Sequence, residues 1–155
     1  MRFDFFTEKS TQITRKEIID FLYEHLDRFR DSKEAIGKCL DYVFSGNESK
    51  GGFVLCCFED AKLVGVLVMI ETGMTGYIPE NFLVYVAIDA SMRGKGIGSR
   101  LISKALENAK GDVALHVEYD NPAKELYERL GFTSKYAEMR YQKGICHGTA
   151  YHKDR

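Results

Sequence analysis

The chain has 155 residues, 45% of them apolar, which suits one domain with a single sizeable core. Its 22 basic and 23 acidic side chains give a net charge of -1 and are interspersed, which argues against nucleic acid as the main partner. No window approaches the roughly 18 apolar residues of a membrane helix, and the opening MRFDFFTEKS lacks the apolar run of a signal peptide. The expectation is one cytoplasmic domain over residues 1–155, with a polar tail from about residue 144.

Arg2 to Phe6 is a short strand candidate. Thr14-Arg15-Lys16-Glu17 has the form of a capping box and opens a helix whose inward face is Ile18, Leu22, His25, Leu26 and Phe29. A similar entry at Asp31 to Glu34 predicts a second helix, facing inward through Ile36, Cys39, Leu40, Val43 and Phe44. Phe53 to Phe58 and Leu63 to Ile70, separated by Glu59-Asp60-Ala61-Lys62, predict an antiparallel hairpin. Phe82 to Asp89 is nearly all apolar, as expected of a strand buried on both faces.

Gly94, Gly96 and Gly98 follow that strand, and from Ser99 a helical pattern runs to about Gly111. Strand, glycine loop and helix form an anion cradle, because loop N–H groups and a helix N-terminus face the same ligand. Asp112 to Glu118 alternates as a strand, parallel to the preceding one through a right-handed crossover. Asn121-Pro122 opens a further helix that ends at Gly131, and Ser134 to Gln142 is the last strand candidate. The predicted order is β-α-α-β-β-β-α-β-α-β, an α/β (α+β) mixed sheet with helices on both faces. The four cysteines, Cys39, Cys56, Cys57 and Cys146, read as reduced core thiols, and Cys146, His147 and His152 match no zinc spacing, so no metal is expected.

The cradle has three possible uses. A Walker A loop fails, since Lys95 lies between glycines with no Ser or Thr after it. A dinucleotide fingerprint finds Ser99 or Leu101 where its last glycine belongs, although Glu118 imitates the ribose-binding acid. Arg93-Gly94-Lys95-Gly96-Ile97-Gly98, of the form [RQ]-x-x-G-x-[GA], resembles the pyrophosphate loop of the GNAT family of N-acetyltransferases. Downstream, NPAKELYERLGF (Asn121 to Phe132) resembles that family's second signature, with Asn121 one position closer to Ala123 than is common; Asp120 is the alternative for the asparagine's place.

The resemblance implies fourth and fifth strands that splay apart around the pantetheine arm of acetyl-CoA. Val86, Ala87 and Ile88 would meet the pantetheine, and Arg93, Gly94, Lys95, Gly96, Ile97, Gly98 and Ser99 the pyrophosphate. Tyr127 would be the general acid for the leaving thiolate. Glu118 and His116 are base candidates, with Tyr85, Glu71 and Glu80 on or before the fourth strand. The implied activity is acetyl transfer from acetyl-CoA to the amine of a small molecule or of a protein or peptide. Tyr23, Tyr77 and Phe82 are candidates for acceptor contact, and a homodimer is compatible with the family. The alternatives are an acyl-CoA-binding module without catalysis and a nicotinamide dinucleotide enzyme.

Overall fold

The computed structural model describes residues 1–144. Strand β1 (Arg2–Phe6) is followed by helices α1 (Arg15–His25) and α2 (Lys33–Val43), then strands β2 (Gly52–Glu59), β3 (Lys62–Glu71) and β4 (Asn81–Ile88). Helix α3 (Ile97–Asn108), strand β5 (Val113–Leu115) and helix α4 (Ala123–Arg129) follow, and short 3-10 turns lie at Asp27–Phe29, where the predicted first helix has already ended, and at Ala90–Met92. The sheet order is β1-β2-β3-β4-β5, antiparallel except for the β4–β5 pair. With a single parallel pair among the described strands, there is no doubly wound sheet, and the dinucleotide reading loses its scaffold.

Local chemistry sets the helix starts. Thr14 Oγ1 accepts from the Glu17 N–H and donates to Glu17 Oε1, both at 3.2 Å. Ser32, and not Asp31, caps α2, accepting from the Ala35 N–H at 3.1 Å. Helices α1 and α2 cover one sheet face with Ile18, Leu22, Ile36 and Leu40, all fully buried, against Val54, Val66 and Val68. Helix α3 covers the other with Leu101, Ile102 and Ala105 against Leu55, Leu67 and Met69. Each large side chain so buried contributes about 1.5–3 kcal/mol.

Two features of β4 position the site. Its N-terminal end is clamped to the segment leading into β5: the buried Asn81 amide donates to the Lys110 carbonyl at 2.8 Å, and Oε1 of Glu80, just before β4, accepts from the Asp112 N–H at 3.0 Å. Further along, Val68 pairs with Tyr85 and Met69 with Leu83, which leaves Val84 as a bulge. Both Val84 and Tyr85 therefore pack toward α1 and α2, while Leu83, Val86 and Ile88 face α3. The β4–β5 ladder stops at Leu83–Leu115, immediately before the bulge, so Val84 to Ile88 has no strand on its outer edge among the described residues.

The predicted fifth strand, Asp112 to Glu118, is thus shorter than its alternation suggested, because β4 turns away from it after three residue pairs. The predicted strand at Ser134 to Gln142 is not formed. Alternation needs a hydrogen-bonding neighbour to become a strand; the three-residue β5 offers little edge, and Tyr136 and Met139 stand exposed. Cys146, His147 and His152 lie outside the described residues.

Candidate functional site

At the C-terminal end of β4 the chain enters the glycine loop and then α3. Gly94 and Gly96 have φ of 79° and 78°, in the left-handed region, and an alanine Cβ at either would meet nothing within 4 Å. Gly96 is the N-cap of α3 and supplies no side chain to the helix start. The first helix-closing bond is Arg100 N–H to the Gly96 carbonyl at 3.2 Å, so the N–H groups of Ile97, Gly98 and Ser99 have no intrahelical acceptor. These three residues line a cleft of about 390 Å³, walled also by Ile88 of β4, the loop, Leu126 and Arg129 of α4, and Leu130 at its end. A Cβ at Gly98 would lie 3.4 Å from Leu126 Cδ2 and 3.7 Å from Ile88 Cγ1, so this glycine sits where β4, α3 and α4 converge. An anion with an extended organic arm fits this shape: charge at the helix start and arm along the free edge of β4.

The two cations of the loop differ in their engagement. Arg93 donates to the Ile88 carbonyl at 3.3 Å and to the His25 carbonyl at 2.7 Å, tying the loop to the end of α1. Lys95 turns back on Met92, with Nζ 3.7 Å from Sδ. His25 adds a second tie, its Nδ1 accepting from the Ala90 N–H at 3.2 Å. Asp89 accepts from the Ser91 hydroxyl at 2.7 Å and N–H at 2.9 Å, and Lys62 lies 3.3 Å away. The Ser91 side chain first, then its N–H and Lys62, hold the Asp89 carboxyl down to about 2. The cradle thus offers backbone N–H groups on a frame that Arg93 braces, while Lys95 meets only the weakly accepting thioether of Met92.

Tyr127 projects from α4 with its ring edge-on to Phe132, centroids 5.7 Å apart. Burial pushes its phenol up to about 12, and its hydroxyl has no hydrogen-bond partner among the described residues. Asn121 stands just before α4 and accepts from the Ala123 N–H at 2.9 Å, while Asp120 pairs with Arg28 at 3.0 Å. His116 and Glu118 lie beyond the end of β5, both exposed; the His116 ring meets Phe82 edge-on at 4.8 Å. No two of Tyr127, His116 and Glu118 share a hydrogen bond. Tyr23 lies beneath Arg30 and Lys33, and Tyr77 is 83% exposed.

Sequence reasoning missed the contact between Tyr85 and Asp31: the phenol donates to Asp31 Oδ2 at 2.7 Å. Burial and then that bond push the Tyr85 hydroxyl far above the usual phenol range. Asp31 had the pattern of a helix cap, and a polar aromatic in an apolar strand was the available signal that it needed a distant partner.

The family profile described as "Acetyltransferase (GNAT) family" matches residues 14–132, which include both signatures, the bulged β4 and the cradle. The chain belongs to the GNAT family. An uncharacterized N-acetyltransferase of Methanocaldococcus jannaschii is 31% identical over 141 residues, covering 79% of this chain and 59% of the relative. A mycothiol acetyltransferase of Catenulispora acidiphila is 36% identical over 98 residues, covering 59% of this chain and 31% of the relative. The chain therefore spans less than two thirds of the length of either. Among solved structures, an aminoglycoside antibiotic 6'-N-acetyltransferase of Acinetobacter haemolyticus superposes with a TM-score of 0.63 at 17% identity, covering 94% of this chain and all of that one. The GNAT fold is thereby shared.

Proposed function

We propose that the protein is an N-acetyltransferase that uses acetyl-CoA as donor and a primary amine as acceptor. One observation carries this reading: the β4–β5 ladder ends at the Val84 bulge, and the free edge it leaves leads directly to the unpaired N–H groups of Ile97, Gly98 and Ser99. Backbone groups of Val86, Ala87 and Ile88 would hold the pantetheine arm as an added strand is held, and the loop from Arg93 to Ser99 the pyrophosphate. Acetyl-CoA supplies a thioester whose carbonyl carbon takes the amine nitrogen as the C–S bond breaks.

A primary alkyl amine of pKa ~10.4 is neutral in about one molecule per 2,500 at pH 7, a cost of roughly 4.6 kcal/mol. A base or a desolvating pocket must offset this, and His116 and Glu118 are the candidates retained from the sequence. Tyr127 acts at the other end. With its phenol pushed up to about 12 against ~8.5 for an ordinary thiol, full proton transfer to the sulfur is uphill by roughly 5 kcal/mol. Its role is then to hydrogen-bond the sulfur as charge develops there, which its unpartnered hydroxyl is free to do.

The test is transfer of labelled acetyl from acetyl-CoA to a panel of amines spanning diamines, aminoglycosides, amino acids and peptide N-termini. Acetylated product from at least one class, lost in Tyr127→Phe, supports the reading. CoA binding with no product from any class would instead make this a binding module without catalysis.

A further inference from the structure

Resting on the acetyl-transfer reading, we infer that Asp31, held by Tyr85, is an acceptor-recognition site for a second positive charge on the amine substrate. The acceptor class it selects is a diamine or related polycation, in preference to an amine that carries a carboxylate.

Three observations converge. The connection from α1 to α2 spans the opening where β4 and β5 part. Asp31 touches Tyr85, the residue after the bulge, and Arg28 reaches Asp120 in the connection between β5 and α4. Asp31 is exposed, yet one of its oxygens is fixed by the hydroxyl of a tyrosine only 7% exposed, so the carboxylate has a defined position without being removed from solvent.

The nearby cations are committed elsewhere. Arg28 pairs with Asp120, Lys33 pairs with Asp20 at 3.0 Å, and the Arg30 guanidinium lies 4.1 Å from the centroid of the Tyr23 ring. Asp31 pairs with no lysine or arginine among the described residues, so its second oxygen can accept an ammonium from a substrate. Because Tyr85 faces α1 and α2 while the cradle opens on the α3 face, the anchor lies across the sheet from the donor's phosphates. That arrangement lets an acceptor enter from the side opposite the donor. A carboxylate on the acceptor would meet Asp31 with like charge.

The experiment is calorimetric titration of CoA-saturated protein with 1,4-diaminobutane and with 4-aminobutanoate, which differ in the charge of one end. The diamine is expected to bind about two- to five-fold more tightly, the weight of one exposed ion pair. Asp31→Asn should remove that preference by weakening the diamine alone, and Tyr85→Phe should move it in the same direction. Glu34→Gln, a nearby exposed carboxylate without the tyrosine contact, should change neither ligand. Equal diamine affinity in wild type and Asp31→Asn would overturn the inference. So would a Glu34→Gln effect as large, or absence of diamine binding. If Asp31→Asn does not fold, Tyr85→Phe decides by the same criterion. Failure of CoA to bind would count against the acetyl-transfer reading, and the same titrations on the free protein would still judge the anchor.

Discussion

Replacing Gly96 or Gly98 with alanine separates the fold's demands from the ligand's. Gly96 has φ of 78° and ψ of 9°, a conformation that costs an L-residue about 1–2 kcal/mol, and its added Cβ would meet no protein atom within 4 Å. At about 2–4 °C per kcal/mol for a chain of this size, Gly96→Ala should lose about 2–8 °C in Tm and remain folded. Relaxation out of the left-handed region would re-aim the N–H groups at the start of α3. Misaiming one hydrogen bond to a charged group costs about 1.5–3 kcal/mol, or ten- to a hundred-fold in CoA affinity. Gly98 is already helical, and its Cβ would make ordinary contact at 3.4 Å with Leu126. Gly98→Ala, in the first turn of α3, should therefore gain up to about 1 kcal/mol of helix preference, raising Tm, with CoA affinity within about three-fold of wild type. Thermal unfolding and CoA titration of both variants make the comparison. If Gly98→Ala loses CoA binding as severely as Gly96→Ala, or Gly96→Ala binds normally, the cradle is misassigned.

Tyr127→Phe should lower turnover by about 100-fold or more with CoA affinity unchanged, and Tm should hold or rise, since the lost hydroxyl has no partner; a drop in CoA affinity of the same size would make Tyr127 a binding residue instead. Because its phenol is raised to about 12, Tyr127 stays protonated throughout the working range, so the rate should climb with pH as the amine is deprotonated, without a falling limb below pH 10. The same raised value means stability that is complete below the unfolded phenol's pKa of ~10 and is lost as pH rises toward 12, so alkaline melting should be milder in Tyr127→Phe. Asp89, depressed to about 2, has the opposite sign: its contribution is present above the unfolded pKa of ~3.9 and fades as pH falls toward 2. Asp89→Asn keeps an acceptor for Ser91 but removes the charge that strengthens those bonds and meets Lys62, so it should cost about 1 kcal/mol near neutral pH, with a deficit that shrinks in acid; a pH-independent deficit would refute the ionic contribution.

The helices, the hairpin and the glycine loop were legible in the sequence because each is written locally, in caps, turn residues and period. The Val84 bulge was not. An apolar run such as Phe82 to Ile88 carries no alternation to be broken, so an extra residue leaves no trace. The last strand was over-read for a related reason: pattern shows a segment's willingness to be a strand and nothing about a free edge to receive it. The brace of Arg93 on His25 joins residues 68 apart. An arginine in a phosphate-binding loop reads as a ligand for the anion, and only the fold shows that its guanidinium holds α1.

Backbone hydrogen exchange with and without CoA reads the proposed donor site itself, without needing the acceptor. CoA should slow exchange in two separate segments, 84–88 on the free edge of β4 and 93–99 through the loop into α3. NAD, which shares the adenosine and pyrophosphate but lacks pantetheine, should leave 84–88 unprotected. Protection by CoA confined to other segments, or no protection at either, would contradict this donor site.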